Sequence, residues 1–254
     1  MFKKFNPKED VSSSTSLKSS VQRNIRSSIL IQIPYLAQPA WRDPSSAALA
    51  ADHVDAETAV EEPEQPTAGK GGGGKKGGKG GKGKGGKGKG KDKEDEGEGG
   101  ADGQEHEVQV IDEFWPKKEA LGLTKCHDRI SLFTVQQIPL FFQHFDGPFI
   151  PSMKLLHKYP AMLPHVQIDR GAIKFLLAGA NMMAPGLLSA GGRLPDGLEK
   201  DTIVGIHAEG KEHACGIGKM TASSEEVKKV GKGVAVEVLC WIGDDLWKVD
   251  TIGL

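Results

Sequence analysis

Lys174 stands between Ile173 and Phe175 in "GAIKFLLAGANMMAPGL", residues 171–187, a run that opens as an apolar helix and is hemmed by glycine and alanine before Pro185 and Gly186 close it. The chemistry on offer there is contact with a phosphate backbone. Small residues let a ligand backbone come close, main-chain N–H groups at Gly179, Ala180 and Asn181 would donate to its oxygens, and Lys174 would supply the countercharge. The same small residues also suit a helix packed tightly on a strand, and from the local sequence that is the plainer reading.

Other residue types that could do chemistry lack the spacing for it. Cys126, Cys215 and Cys240 are isolated, with no C-x-x-C pair, which argues against a disulfide framework and against zinc. His213 and Cys215, like Cys126 and His127, are too few and too close for a metal centre and read as ordinary strand residues. In the tract "GKGGGGKKGGKGGKGKGGKGKGKDKEDEGEGG" no Gly-Lys is followed by Ser or Thr, so it is not a phosphate loop, and Gly218-Lys219-Met220 fails the same test. No Ser/His/Asp set or carboxylate pair has diagnostic spacing, and the chain has no room for a catalytic domain. The expectation is a protein that is not an enzyme and takes no cofactor and no metal.

The elements that must position Lys174 can be read from periodicity. Leu17, Val21, Ile25 and Ile29 recur every four residues and predict an amphipathic helix from Ser16 to Ile33, stopped by Pro34. "RISLFTV" and "IPLFFQHF" predict a hairpin turning at Gln136 and Gln137, and "PSMKLLHKYPAMLPH" a short helix between prolines. Phe141, Phe142 and Phe145 would form hydrophobic core in the simplest reading and a partner-binding patch in the alternative. Beyond Pro164, strands are expected at "HVQID", "NMMA", "DTIVGIHAEG", "HACGIGKM" and "GVAVEVLCWI", with Gly243-Asp244-Asp245 turning the last into a strand "LWKVD". Ser223 and Glu226 form a capping box for a helix that Gly231 ends. Many short strands with two small helices predict a compact barrel.

Of 254 residues 37% are hydrophobic and 34 are glycine, and residues 42–110 account for most of that imbalance. With almost nothing apolar to offset ordering entropy, they are expected to be a disordered Lys/Gly/acidic insertion. It splits an N-terminal mixed α/β domain into residues 1–41 and 111–163, leaving 164–254 as a C-terminal barrel; the fold class is α+β. The net charge of −1 is unevenly spread: residues 1–41 hold 6 Lys and Arg against 2 Asp and Glu, and residues 164–254 hold 10 against 12. Nucleic-acid contact by the C-terminal part must therefore rest on a local patch. "MFKKFNPKED" has no apolar core behind its lysines and no run reaches membrane-span length, so neither signal peptide nor membrane helix is expected, and a reducing, cytoplasmic location fits the cysteines.

The order of a strand, "GAIKFLLAGANMMAPGL", further strands and a closing hairpin resembles a PUA domain, the RNA-binding module of pseudouridine synthases and archaeosine transglycosylases. "MFKKF", "WPKK", "LLHKYP", "LPH", "GAIKF", "GAN", "APGL", "DTIV", "AEGK", "HA" and "DDLWK" together resemble the malignant T-cell amplified sequence family, including its fungal members. Apart from the Lys/Gly tract, the resemblance covers nearly the whole chain. It implies an N-terminal domain that joins a density-regulated-protein partner, and a PUA domain that places the pair on the small ribosomal subunit. The implied task is release of deacylated tRNA from post-termination subunits, recycling and re-initiation. The rival is a tRNA-gripping accessory subunit of an RNA-modification enzyme. With the resemblance, the balance at residues 171–187 tips toward RNA. Gly171, Lys174, Gly179, Ala180, Asn181, Pro185 and Gly186 become the expected RNA-binding set, and Lys3, Lys4, His157 and Lys158 possible secondary RNA or partner contacts.

Overall fold

The computed structural model describes residues 2–40 and 108–252. The Lys/Gly tract, and with it most of the expected insertion, lies outside the described residues. A one-turn helix, α1 (Pro7–Asp10), and a strand, β1 (Val11–Ser16), precede the helix α2 (Ser19–Gln32). The helix expected from Ser16 starts three residues later because β1 is claimed by pairing. Ser14 lies opposite Thr124 and Ser16 opposite Gly122, and the Ser14 and Thr124 hydroxyls share a 3.1 Å hydrogen bond. Along α2, Ile29 is fully buried, whereas Val21 at the first turn is 40% exposed, so the apolar stripe docks mainly by its C-terminal half.

Chain after the insertion returns through Gln109, which bridges Pro39, into α3 (Val110–Phe114). Composition places residues 108–110 in the insertion, but Val110 is fully buried and Gln109 caps α3 in a box with Asp112. Arg26 ties α2 to α3: its guanidinium meets Asp112 Oδ1 at 2.6 Å, donates to the Trp115 carbonyl at 2.8 Å and lies over the Trp115 ring.

Four more strands, β2 (Leu121–Cys126), β3 (Ile130–Val135), β4 (Ile138–His144) and β5 (Ile150–Pro151), join β1 in an antiparallel sheet of order β1-β2-β3-β4-β5. The β3–β4 hairpin turns where expected, at Gln136 (φ 50°) and Gln137 (φ 67°). Both sit in the left-handed region that a two-residue hairpin demands and that Asn-Gly normally fills. Gln137→Gly is therefore expected to stabilise the protein by about 0.5–1 kcal/mol. Urea unfolding checks it, and an unchanged or lower midpoint would mean that the glutamine side chain contributes more than its backbone costs. Phe141 and Phe142 point into the core at 1% and 0% exposure, while Phe145 is 51% exposed beneath the Arg129 guanidinium.

The helix α4 (Met153–Lys158), capped by the Ser152 hydroxyl, leads past Pro164 into the second half. That half runs β6 (His165–Ile168), α5 (Ile173–Leu177), β7 (Met182–Met183), α6 (Ala184–Leu188), β8 (Ile203–Ala208), β9 (Ala214–Met220), α7 (Ser224–Val230), β10 (Val234–Trp241) and α8 (Asp245–Lys248). Its sheet has the order β6-β8-β9-β10-β7, parallel only between β6 and β8. Every residue of β8 is buried, as befits a strand covered on both faces. The fold is α+β.

Two expectations fail in this half. "LWKVD" is not a strand: Asp244 Oδ1 accepts the Trp247 N–H at 2.8 Å and caps α8 instead. Pro185 and Gly186 do not close the preceding helix; they begin α6, where a proline near the N-terminus costs no hydrogen bond. The expected capping box of Ser223 and Glu226 opens α7, and Gly231 ends it at φ 65°.

Two cores form. One joins Phe2, Ile29, Phe142 and Tyr159 to Ile217, Leu239, Leu246 and Ile252, so it crosses the expected domain boundary. Hydrogen bonds reinforce the joint: Asp245 N–H donates to the Phe2 carbonyl at 3.0 Å, and Phe5 N–H to Asp245 Oδ2 at 3.1 Å. The other core packs Val166, Leu176, Met182, Val204, Val236 and Trp241 inside the second half.

Candidate nucleic-acid interface

The site is built where β6 runs out. Asp169, just past it, accepts the Ala172 N–H at 2.8 Å on one carboxylate oxygen and the Ser189 hydroxyl at 2.7 Å on the other. The Ser189 bond, then the Ala172 bond, holds this carboxyl below the usual aspartate range. One ionised side chain thus pins the start of α5 to the end of α6. On α5 only Leu176 is fully buried; Phe175 is 55% and Leu177 47% exposed, and Lys174 Nζ lies 5.0 Å from the Phe175 ring centroid.

Gly179 explains why the helix stops. Its N–H donates to the Leu176 carbonyl at 2.8 Å and the Ala180 N–H to the Phe175 carbonyl at 2.9 Å, with Gly179 at φ 77°. That is the left-handed glycine cap of a helix C-terminus. A Cβ on Gly179 would stand 2.5 Å from Cη2 of Trp241. The close approach inferred from the small residues is real at Gly179, but what approaches is an indole ring of the same chain.

These bonds correct the phosphate mechanism expected at Gly179 and Ala180, because both amides are already spent inside the fold. Asn181 has an internal task as well: its Oδ1 accepts the Val238 N–H at 3.0 Å, beside the irregularity in β10 between Val238 and Cys240.

Between α5, β7 and α6 a cavity of about 580 Å³ remains, walled by Phe175, Met182 and Met183, with Lys174 at its edge. Its size suits a small planar group. Gly171, Lys174, Ala180, Asn181 and Gly186 line it, whereas Gly179 and Pro185 do not. Met183 is 50% exposed and pairs across the sheet edge with Val234, itself 43% exposed, which extends the apolar wall outward. An aromatic ring and two thioethers can hold a base by stacking, and the Lys174 ammonium its phosphate, against the opposing charge of the Asp169 carboxylate that also lines the cavity.

Residues 164–239 match the family model of the PUA domain, and residues 104–160 that of the Pre-PUA-like domain. The chain is similar to Translation machinery-associated protein 20 of Schizosaccharomyces pombe, 53% identical over 140 residues that cover 55% of this chain and 77% of the relative. Its likeness to the Saccharomyces cerevisiae protein of the same name is 54% over 140 residues, covering 54% and 77%. Malignant T-cell-amplified sequence 1 of Rattus norvegicus is 47% identical over 141 residues, covering 56% and 77%. The chain belongs to this family of translation machinery-associated, malignant T-cell-amplified sequence proteins.

In this family member the remaining expected contacts lie away from the PUA cavity. His157 on α4 reaches across to β9, where its Nε2 is 2.8 Å from the Ala214 carbonyl oxygen, and its ring stacks on His213 at 5.2 Å. It therefore faces the second half of the molecule. Lys158 is exposed, with its ammonium over Tyr159. Lys3 and Lys4 are exposed on the N-terminal segment that Phe2 anchors against α8. Asp169, Phe175, Met182 and Met183 were missed as site residues. The signal available for the methionines was their adjacency in a two-residue strand, which turns one inward and the other out. Among the described residues no helix is long and apolar enough to cross a membrane, and no group of His, Cys, Asp and Glu could hold a metal ion.

Proposed function

We propose that this chain is a non-enzymatic, cytoplasmic, ribosome-associated factor whose PUA domain grips RNA, of the small subunit or of tRNA, through the cavity of Lys174, Phe175 and Met183. It works with a density-regulated-protein-like partner on post-termination small subunits, where deacylated tRNA leaves and subunits are recycled or re-initiate. Membership of a translation machinery-associated family supports the setting, and the resemblance of its motifs supports the partner and the stage. The observation that carries RNA contact is the exposure of Phe175 and Met183 around an open cavity with a lysine at its rim, apolar surface that a monomer would otherwise bury.

Binding of the intact chain to purified small subunits over a salt series tests it. Phe175→Ala is expected to weaken binding roughly tenfold, the worth of one stacked base. Lys174→Glu is expected to weaken it about three- to tenfold at low salt and to flatten the salt dependence. Both side chains are exposed, so circular dichroism should match the parent. Parent-like binding by both variants at low salt would remove the cavity from the account.

A further inference from the structure

A second concavity of the PUA domain lies on the opposite edge strand. β6 and β7 are the two edges of the sheet, and the cavity described above involves β7. Around β6 and β8 a pocket of about 370 Å³ is lined by His165, Gln167, Arg193, His207 and Lys211, and no carboxylate lines it. Its basic groups come from three separate stretches that the fold draws together. Arg193 is brought in by the bridge between Gln167 and Arg193, whose amides and carbonyls exchange two 2.8 Å hydrogen bonds. Lys211 follows β8 in a turn closed by its own N–H to the Ala208 carbonyl, 2.9 Å. His165 is fixed by Nε2 against the Pro160 carbonyl oxygen at 2.7 Å, and its ring leans on His207 at 4.2 Å.

The charges here are also uncommitted. Arg170, Lys219 and Lys228 of the same domain each meet a carboxylate, Glu209, Asp201 and Asp196 respectively, while Arg193 and Lys211 take part in no ion pair among the described residues. Both are exposed. Two cations beside a polar hollow that no carboxylate lines can attract an anion and hydrogen-bond its oxygens.

We infer that the Arg193–Lys211 pocket is a second phosphate site, which holds the ribose-phosphate backbone of an RNA whose other part reaches the Lys174 cavity. The choice of RNA rests on the function proposed above. An anionic membrane is disfavoured by charge: residues 164–254 hold 10 Lys and Arg against 12 Asp and Glu, so the domain as a whole repels a charged sheet, and only a local hollow can attract a phosphate.

The test titrates the intact chain with a short single-stranded RNA at several salt concentrations, comparing the parent with Arg193→Ala/Lys211→Ala, Lys174→Glu and Lys200→Ala. Lys200 is exposed and lines neither hollow, so it controls for bulk charge. Loss of two single-strand phosphate contacts lowers the slope of log affinity against log salt by about 1.4, and the double variant is expected to bind several-fold more weakly at low salt, with Lys200→Ala unchanged. Arg193→Lys/Lys211→Arg should restore both quantities. If Lys174→Glu weakens binding and the double variant does not, the cavity stands and the second site is overturned. If the double variant weakens binding and Lys174→Glu does not, the second site stands and the cavity reading falls. A parent that binds no RNA overturns both. In that event a titration with inorganic phosphate that is weakened in the double variant would assign the pocket to a free anion.

Discussion

Gly179→Val is expected to destabilise the protein by about 2–6 kcal/mol, from two conflicts of roughly 1–3 kcal/mol each. The first is conformational: at φ 77° a β-branched residue is strained whatever the space around it. The second is steric, because the new Cβ would stand 2.5 and 2.7 Å from two ring atoms of Trp241, which is itself 5% exposed and held in β10. Gly179→Asn separates the two, since asparagine tolerates the left-handed conformation but still carries a Cβ. Denaturant midpoints should therefore fall for both variants, and further for valine. An asparagine variant as stable as the parent would show that the ring can yield. Any loss of RNA binding on substituting Gly179 is then a loss of fold, which makes Lys174 and Phe175 the positions that report on contact.

Between about pH 7 and pH 4 the parent is expected to lose about 3 kcal/mol of stability through one residue, the histidine of β8. Burial, followed by the neighbouring His165, lowers the His207 pKa from 6.5 to about 4. Its Nδ1 lies 3.0 Å from the Glu212 carbonyl oxygen, so that nitrogen donates, and its Nε2 is buried without a partner. His157 and His213 also face it, and each would oppose a charge there. The sign follows from proton counts. Below 6.5 the unfolded chain takes up a proton that the folded chain refuses until about 4, so stability falls as pH falls across that window. Asp244 acts in the other direction: burial raises its carboxyl, so its protonation favours the folded state in acid. His207→Asn keeps a donor for the Glu212 carbonyl but cannot titrate. Urea unfolding across the window should show the loss in the parent and most of it missing in the variant. Equal slopes would mean that His207 gains a proton in the fold without cost.

What could be read from the sequence divides along a physical line. Elements whose cause is local were legible: the Ser223–Glu226 box, the Gly231 cap, and the hairpin at Gln136 and Gln137. β1 was not, because "VSSSTS" carries no apolar alternation and is extended only through its pairing with β2, more than a hundred residues away. "LWKVD" failed because four alternating residues suit a strand or a helical turn equally, and the Asp244 cap decided between them. At the candidate site, the small residues correctly signalled a close approach, yet nothing local says that the approaching group is Trp241. Exposure of Phe175 and Met183 depends on which faces the second sheet and its helices bury, which no short window of sequence contains.

The most direct measurement of the central claim is photocrosslinking from the cavity wall. A photoreactive side chain replaces Met183, or in a second protein Phe175, and the intact chain is irradiated on purified small ribosomal subunits, with and without the proposed density-regulated-protein-like partner. The account predicts covalent adducts to RNA from both positions, competed by unmodified parent and lost with added salt. Adducts to protein alone, or none from either position while the chain stays bound to the subunit, would contradict it.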